Sequence, residues 1–110
     1  MSRFVVAPSA RDDLDDIWDY IGIENQEPAA ADRVIDKLYE AIKLLATQPL
    51  MAEKCRQFEH LAFNLRHFPV GNYVIYYTPM GDGVRIGHVS HGAQDQEALF
   101  RTWLAAGDRP

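Results

Sequence analysis

Apolar residues recur along this chain with two different periods, helical in the first half and alternating in the second. From Ala10 to about Glu24, Leu14, Ile17, Trp18 and Ile21 fall on one helical stripe, and Asp12, Asp15, Asp16 and Asp19 fall on the opposite face. Ser9 is the expected N-cap, with Asp12 three residues on completing a Ser-x-x-acid box. A polar break at 24–27 leads to Pro28, which suits the first turn of a second helix. From Pro28 to about Thr47, Ala31, Val34, Leu38, Ile42 and Leu45 repeat at three- to four-residue spacing until Pro49 ends the run. So short a link between two helices predicts an antiparallel helix hairpin.

The second half reads as strands. Tyr73 to Tyr77 is an unbroken β-branched and aromatic run in which both alternating sets are apolar, the pattern of a central strand covered on both faces. Leu61 to Phe68 reads as the strand before it, with Pro69-Val70-Gly71-Asn72 as the turn between them. Arg3 to Ala7 is a short strand stopped by Pro8. Met80-Gly81-Asp82-Gly83 is a second turn, and Val84, Ile86 and Val89 mark a final strand running to about His91. Leu50 to Phe58 has no clear period and reads as a loop. Beyond a break at 92–94, Asp95 stands as the cap of a short last helix with Ala98, Leu99, Trp103 and Leu104 spaced for burial.

The order β-α-α-β-β-β, with a short C-terminal helix, predicts an α+β fold. An antiparallel helix hairpin packs on one face of a small, largely antiparallel four-stranded sheet. The hairpin covers only one face. The other apolar face of the central strand is either covered by the last helix or left for a binding segment.

Composition narrows the function classes. At 110 residues the chain is one domain, 1–110, large enough to fold without disulfides or metal. Cys55 is alone, which excludes an internal disulfide and fits a reducing compartment. No apolar run approaches the length of a membrane span and no basic-then-apolar leader is present, so a cytoplasmic protein with no membrane partner is expected. The net charge of −5 lies entirely in residues 1–50, which carry five Lys/Arg against ten Asp/Glu. That argues against direct nucleic-acid binding, where phosphate neutralisation supplies most of the affinity.

Several side chains are candidates for chemistry, each with an ordinary structural reading beside it. The four histidines, His60, His67, His88 and His91, show no metal-ligand spacing, so neither metal nor cofactor is expected. His91, at the end of the sheet, lacks an activating partner for acid–base catalysis and reads as a hydrogen-bonded or interface residue. Arg66 either faces a partner or is a surface Arg whose stem packs on Phe68. Trp18 belongs to the core stripe. Trp103 and Phe100 either pack back on the sheet or present an anchor to a partner. Cys55, flanked by Lys54 and Arg56, is a candidate for a lowered thiol pKa, without a companion base. The aspartate face of the first helix is a solvated surface or one that pairs with basic residues of a partner.

Five segments taken in order carry a family resemblance: PSARDDLDDIWDYI at 8–21, ADRVIDKL at 31–38, LATQPLM at 45–51, LRHFPVGNYVIYY at 65–77 and VSHGAQD at 89–95. They resemble the RelE/ParE superfamily of bacterial toxins from type II toxin–antitoxin operons, in particular its ParE-like branch (the plasmid-stabilisation toxins). The resemblance implies an inhibitor of DNA gyrase, not an enzyme, that arrests growth. It further implies a hetero-oligomer with a ParD-like antitoxin whose flexible C-terminal segment, acidic or amphipathic, folds over the toxin and neutralises it. The alternatives are a RelE-like ribosome-dependent mRNA endonuclease and a degenerate toxin that keeps only antitoxin binding.

The resemblance also separates these readings. RNA cleavage by 2′-OH attack needs proton-transfer groups and cations for the developing phosphate charge. The positions that carry the RelE-type Arg in the central strand, the Arg after the last strand and the C-terminal Tyr correspond here to Val74, Gln94 and Phe100. Gln94 departs from many ParE-like relatives as well. Arg66, His91, Gln94, Phe100 and Trp103 are therefore the expected target- or antitoxin-contacting residues, and no catalytic residue is expected.

Overall fold

The computed structural model describes residues 2–55, 64–92, 96–105 and 107. Strand β1 (Arg3–Val6) leads into helix α1 (Pro8–Asp19), which continues as a π-helical turn over Tyr20–Glu24. Helix α2 (Pro28–Thr47) runs back antiparallel to it. Then come β2 (Glu53–Lys54), β3 (Arg66–Val70), β4 (Tyr73–Met80), β5 (Gly83–His91) and helix α3 (Gln96–Ala105). The strands form one sheet in the order β1-β5-β4-β3-β2, with β1 parallel to β5 and the other pairs antiparallel. The α+β class and the helix hairpin are as the sequence predicts. The sheet has five strands rather than four, because the aperiodic loop after α2 contributes a two-residue rung, Glu53 and Lys54, that pairs with His67 and Arg66.

Local chemistry explains most boundaries, and corrects three expectations. Pro8 takes the first turn of α1 and Ala7 is its N-cap, so Ser9 lies inside the helix and caps nothing. Pro28 opens α2 as expected. The β3–β4 turn is only Gly71-Asn72, with Pro69 and Val70 paired in the strand; Gly71 takes φ +57°, as the first position of a type II′ turn requires. Trp18, expected in the core, is half-buried at the hairpin's edge. Its indole N–H donates to Asp32 Oδ1 at 2.9 Å, and its ring lies so close over Gly22 that a Cβ there would stand 2.9 Å from it.

Strand β4 sorts its side chains between two cores. Ile75 and Tyr77 face the helix hairpin, where they join Leu14, Leu38, Ile42 and Leu45 with Val84, Ile86 and Val89 of β5. Tyr76 faces the other way, into a smaller cluster with Cys55, Leu65, Phe100 and Trp103; Val74 and Leu99 are partly buried against it. Helix α3 is what covers this second face. Its Phe100 and Trp103 rings meet Tyr76 edge-on at 5.5 and 5.2 Å between centroids. Of the α3 residues spaced for burial, Trp103 is buried and Leu99 partly so, while Ala98 and Leu104 are exposed; Phe100, outside that spacing, is buried too. His88, on the same face, stacks flat on Trp103 at 3.8 Å.

A β-bulge makes this division possible. Tyr77 pairs with Ile86 and Tyr76 with His88, so Gly87 is an extra residue in β5. Upstream of it, even-numbered residues of β5 face the helix hairpin; downstream, odd-numbered ones do. Val89 therefore stays in the main core while His88 and Ser90 turn toward α3.

Cross-strand partners Arg66 and Tyr77 together hold the chain segment that leaves α2. The Arg66 guanidinium donates through Nη1 to the carbonyls of Ala52 at 2.6 Å and Leu50 at 3.2 Å, and the Tyr77 hydroxyl donates to Pro49 O at 2.8 Å. Burial raises the Tyr77 phenol pKa, and the Ala52 backbone and Arg66 pull partly the other way. Cys55 is buried with its Sγ 3.4 Å from His67 Nδ1. Burial pushes its thiol up to about 12, the reverse of the lowering expected from its basic neighbours.

Two measurements check this account of the second core. Trp103→Ala is expected to cost about 3 kcal/mol in urea unfolding, at the low end for a buried Trp because α3 is short; a loss within about 0.5 kcal/mol would mean that α3 does not hold the sheet. For Cys55 the folded pKa lies above the unfolded 9.0, so the neutral thiol's contribution is whole below pH 9 and is lost as pH rises towards 12. The stability advantage of wild type over Cys55→Ala is therefore expected to shrink across that window, the tyrosines cancelling in the comparison. A constant advantage would show that the thiol ionises alike in both states.

Candidate partner-docking site

Because Pro8 starts α1 immediately after β1, the edge of β5 beyond Ile86 has no strand beside it. Helix α1 takes over that edge with side chains. The Ser9 hydroxyl donates to Gly87 O at 2.7 Å, and Asp13 Oδ2 accepts the Val89 amide at 2.9 Å. The same carboxylate oxygen lies 3.1 Å from Nδ1 of buried His88. One aspartate thus ties α1 to β5 and, through the His88–Trp103 stack, to α3.

Asp13 was not singled out in the sequence, yet the signal is there. Asp12, Asp15, Asp16 and Asp19 are exposed as expected. Asp13, by contrast, follows i, i+3, i+4, i+7 spacing with Asp16, Ile17 and Tyr20, which places these four on one flank of α1 at the border of the apolar stripe. That flank faces the end of the sheet across an open cleft of about 420 Å³, lined on the far side by Tyr73, Val89, Ser90 and His91. Two more clefts adjoin it. One of about 390 Å³ runs under Pro69, Asn72 and Val74, and one of about 230 Å³ lies between Val34, Lys37 and Val70. Tyr73 lines all three. It meets the ring of His91 edge-on at 5.5 Å, and its phenol is pushed up by burial and then by the neighbouring Tyr20 phenol.

The first cleft offers carboxylate acceptors, aromatic faces and apolar walls. Neither Arg nor Lys is among the described residues that line it. Among the described residues, no three His, Cys, Asp or Glu side chains gather as a metal site, and no helix is long and apolar enough to cross a membrane.

The five contact residues expected from the sequence are placed very differently. His91 is exposed at the cleft rim beside Tyr73. Arg66 is only 9% exposed and its guanidinium donates to backbone carbonyls, so its head is not in water as the surface reading has it. Phe100 and Trp103 take the first of their two readings and pack back on the sheet. Gln94 lies outside the described residues, as does His60. Tyr20, Tyr73 and Asp13 are the site residues that sequence reasoning missed. Both tyrosines fall within segments that the strand and helix patterns already account for.

Comparison with known proteins agrees with this architecture. The family model described as the ParE toxin of the type II toxin–antitoxin system, parDE, matches residues 4–96. A solved structure described as the chromosomal ParDE TA system from P. aeruginosa is similar in fold. Its TM-score is 0.63 and its sequence identity 18%, over 83% of this chain and 96% of that one. No curated protein matches the chain. With the family model spanning every element from β1 to the start of α3, the chain belongs to the ParE toxin family of type II toxin–antitoxin systems.

Proposed function

We propose that this ParE-family chain arrests growth by binding DNA gyrase, and that a ParD-like antitoxin neutralises it in a cytoplasmic hetero-oligomer by folding a flexible segment onto it. The observation that carries the reading against a ribonuclease is the packing of Val74 and Phe100. At the two positions where a RelE-like enzyme would place an Arg and a Tyr, this chain has apolar side chains that pack on the α3-side core. A proton-transfer and phosphate-stabilising set cannot be built from groups used in this way. What the surface does offer is the run of clefts around Tyr73, with His91 exposed at their rim. An ordering segment needs several apolar anchors of about 1.5–3 kcal/mol each to offset its lost entropy, and these clefts are apolar for most of their lining. Arg66, Phe100 and Trp103 contribute by holding the sheet and its two flanking segments in place.

The test is direct. Induced expression alone is expected to stop growth, and purified protein to inhibit gyrase supercoiling or accumulate its cleaved-DNA complex. Co-expression of the neighbouring short open reading frame is expected to restore growth. Cleavage of mRNA at ribosomes with gyrase unaffected would reverse the assignment.

A further inference from the structure

The cleft between α1 and the end of β5 combines features that select one chemistry. Its lining holds two carboxylates, Asp13 and Asp16, two phenol rings, Tyr20 and Tyr73, and the aliphatic side chains of Ile17 and Val89. Asp13 is committed to the Val89 amide and His88. Asp16 is exposed and, among the described residues, has no ion-pair partner. Tyr20 leaves 58% of its surface in solvent at the head of the π-helical turn, where Trp18 packed over Gly22 fixes the backbone. A large aromatic ring held open beside an unpaired carboxylate offers a flat face and an anionic acceptor together.

We propose that this cleft receives an arginine side chain from a partner polypeptide, its guanidinium lying against the Tyr20 and Tyr73 rings and paired with Asp16. A guanidinium is planar, weakly hydrated and able to stack on an aromatic face while donating to a carboxylate; an ammonium is compact and strongly hydrated and uses only the charge. The acidic half of the chain, −5 over residues 1–50, attracts a basic segment toward this side of the molecule. The proposal rests on the antitoxin reading above only for where the arginine comes from; the cleft itself is tested without the antitoxin.

The experiment is an amide-shift titration of the full-length, isotope-labelled chain with the blocked tripeptide Ala-Arg-Ala and its citrulline counterpart, which keeps the shape and lacks the charge. Shifts confined to the cleft residues Asp16, Ile17, Tyr20, Tyr73 and Val89–His91 are expected, with the citrulline peptide roughly tenfold weaker. Asp16→Asn is expected to weaken the arginine peptide by a similar factor, whereas Asp12→Asn, on the exposed face outside the cleft, leaves it unchanged. Equal binding of the citrulline peptide, shifts spread along α1 beyond the cleft-lining residues, or an equal effect of Asp12→Asn would overturn the site. Peptide binding intact in a chain that captures no antitoxin would sustain the cleft and remove the antitoxin as the source of the arginine.

Discussion

The structure depends on a strand that has no solvent face. Ile75, Tyr76 and Tyr77 are consecutive and essentially wholly buried, and alternate side chains of a strand point in opposite directions. Such a strand is stable only if both sides of the sheet are covered. The helix hairpin supplies one cover and α3 the other, each bringing aromatic or aliphatic side chains to the same stretch of β4. The bulge at Gly87 and the turn at Gly71 follow from this demand, since they set which neighbour lies opposite each β4 residue.

Much of this was legible in the sequence, and the reasons differ by element. The helix hairpin was plain because Ala31, Leu38, Ile42 and Leu45 keep their period over several turns between two prolines. The two-sided strand was plain because Tyr73–Tyr77 breaks the alternation that a half-exposed strand would show. The two-residue β2 was not, because a rung that short carries no period and its register is set by Arg66 and His67 across the sheet. The cap at Ser9 failed because Pro8 can itself occupy the first helical turn, which frees the serine hydroxyl to satisfy the β5 edge instead.

The candidate site was less legible for a related reason. Sequence patterns separate apolar from polar faces, and Asp13, Asp16 and Tyr20 lie on the border between them. What joins them to Tyr73 and His91 is the early end of β1, which leaves β5 beyond Ile86 to be edged by a helix. Arg66 shows the same limit from the other side. A charged side chain entering a hairpin looks like surface, and only the carbonyls at 50 and 52 reveal that its head is used internally.

The parallel pairing of β1 with β5 brings together Arg3–Val6 and Gly83–Ile86, from opposite ends of the chain. During synthesis the N-terminal strand emerges first, yet it has no partner in the sheet until the last strand has left the ribosome. The sheet edge that α1 completes, with Ser9 on Gly87 and Asp13 on Val89, is equally late. The nascent chain therefore lacks this finished surface until β5 has been made, and a product cut short of β5 would lack it altogether.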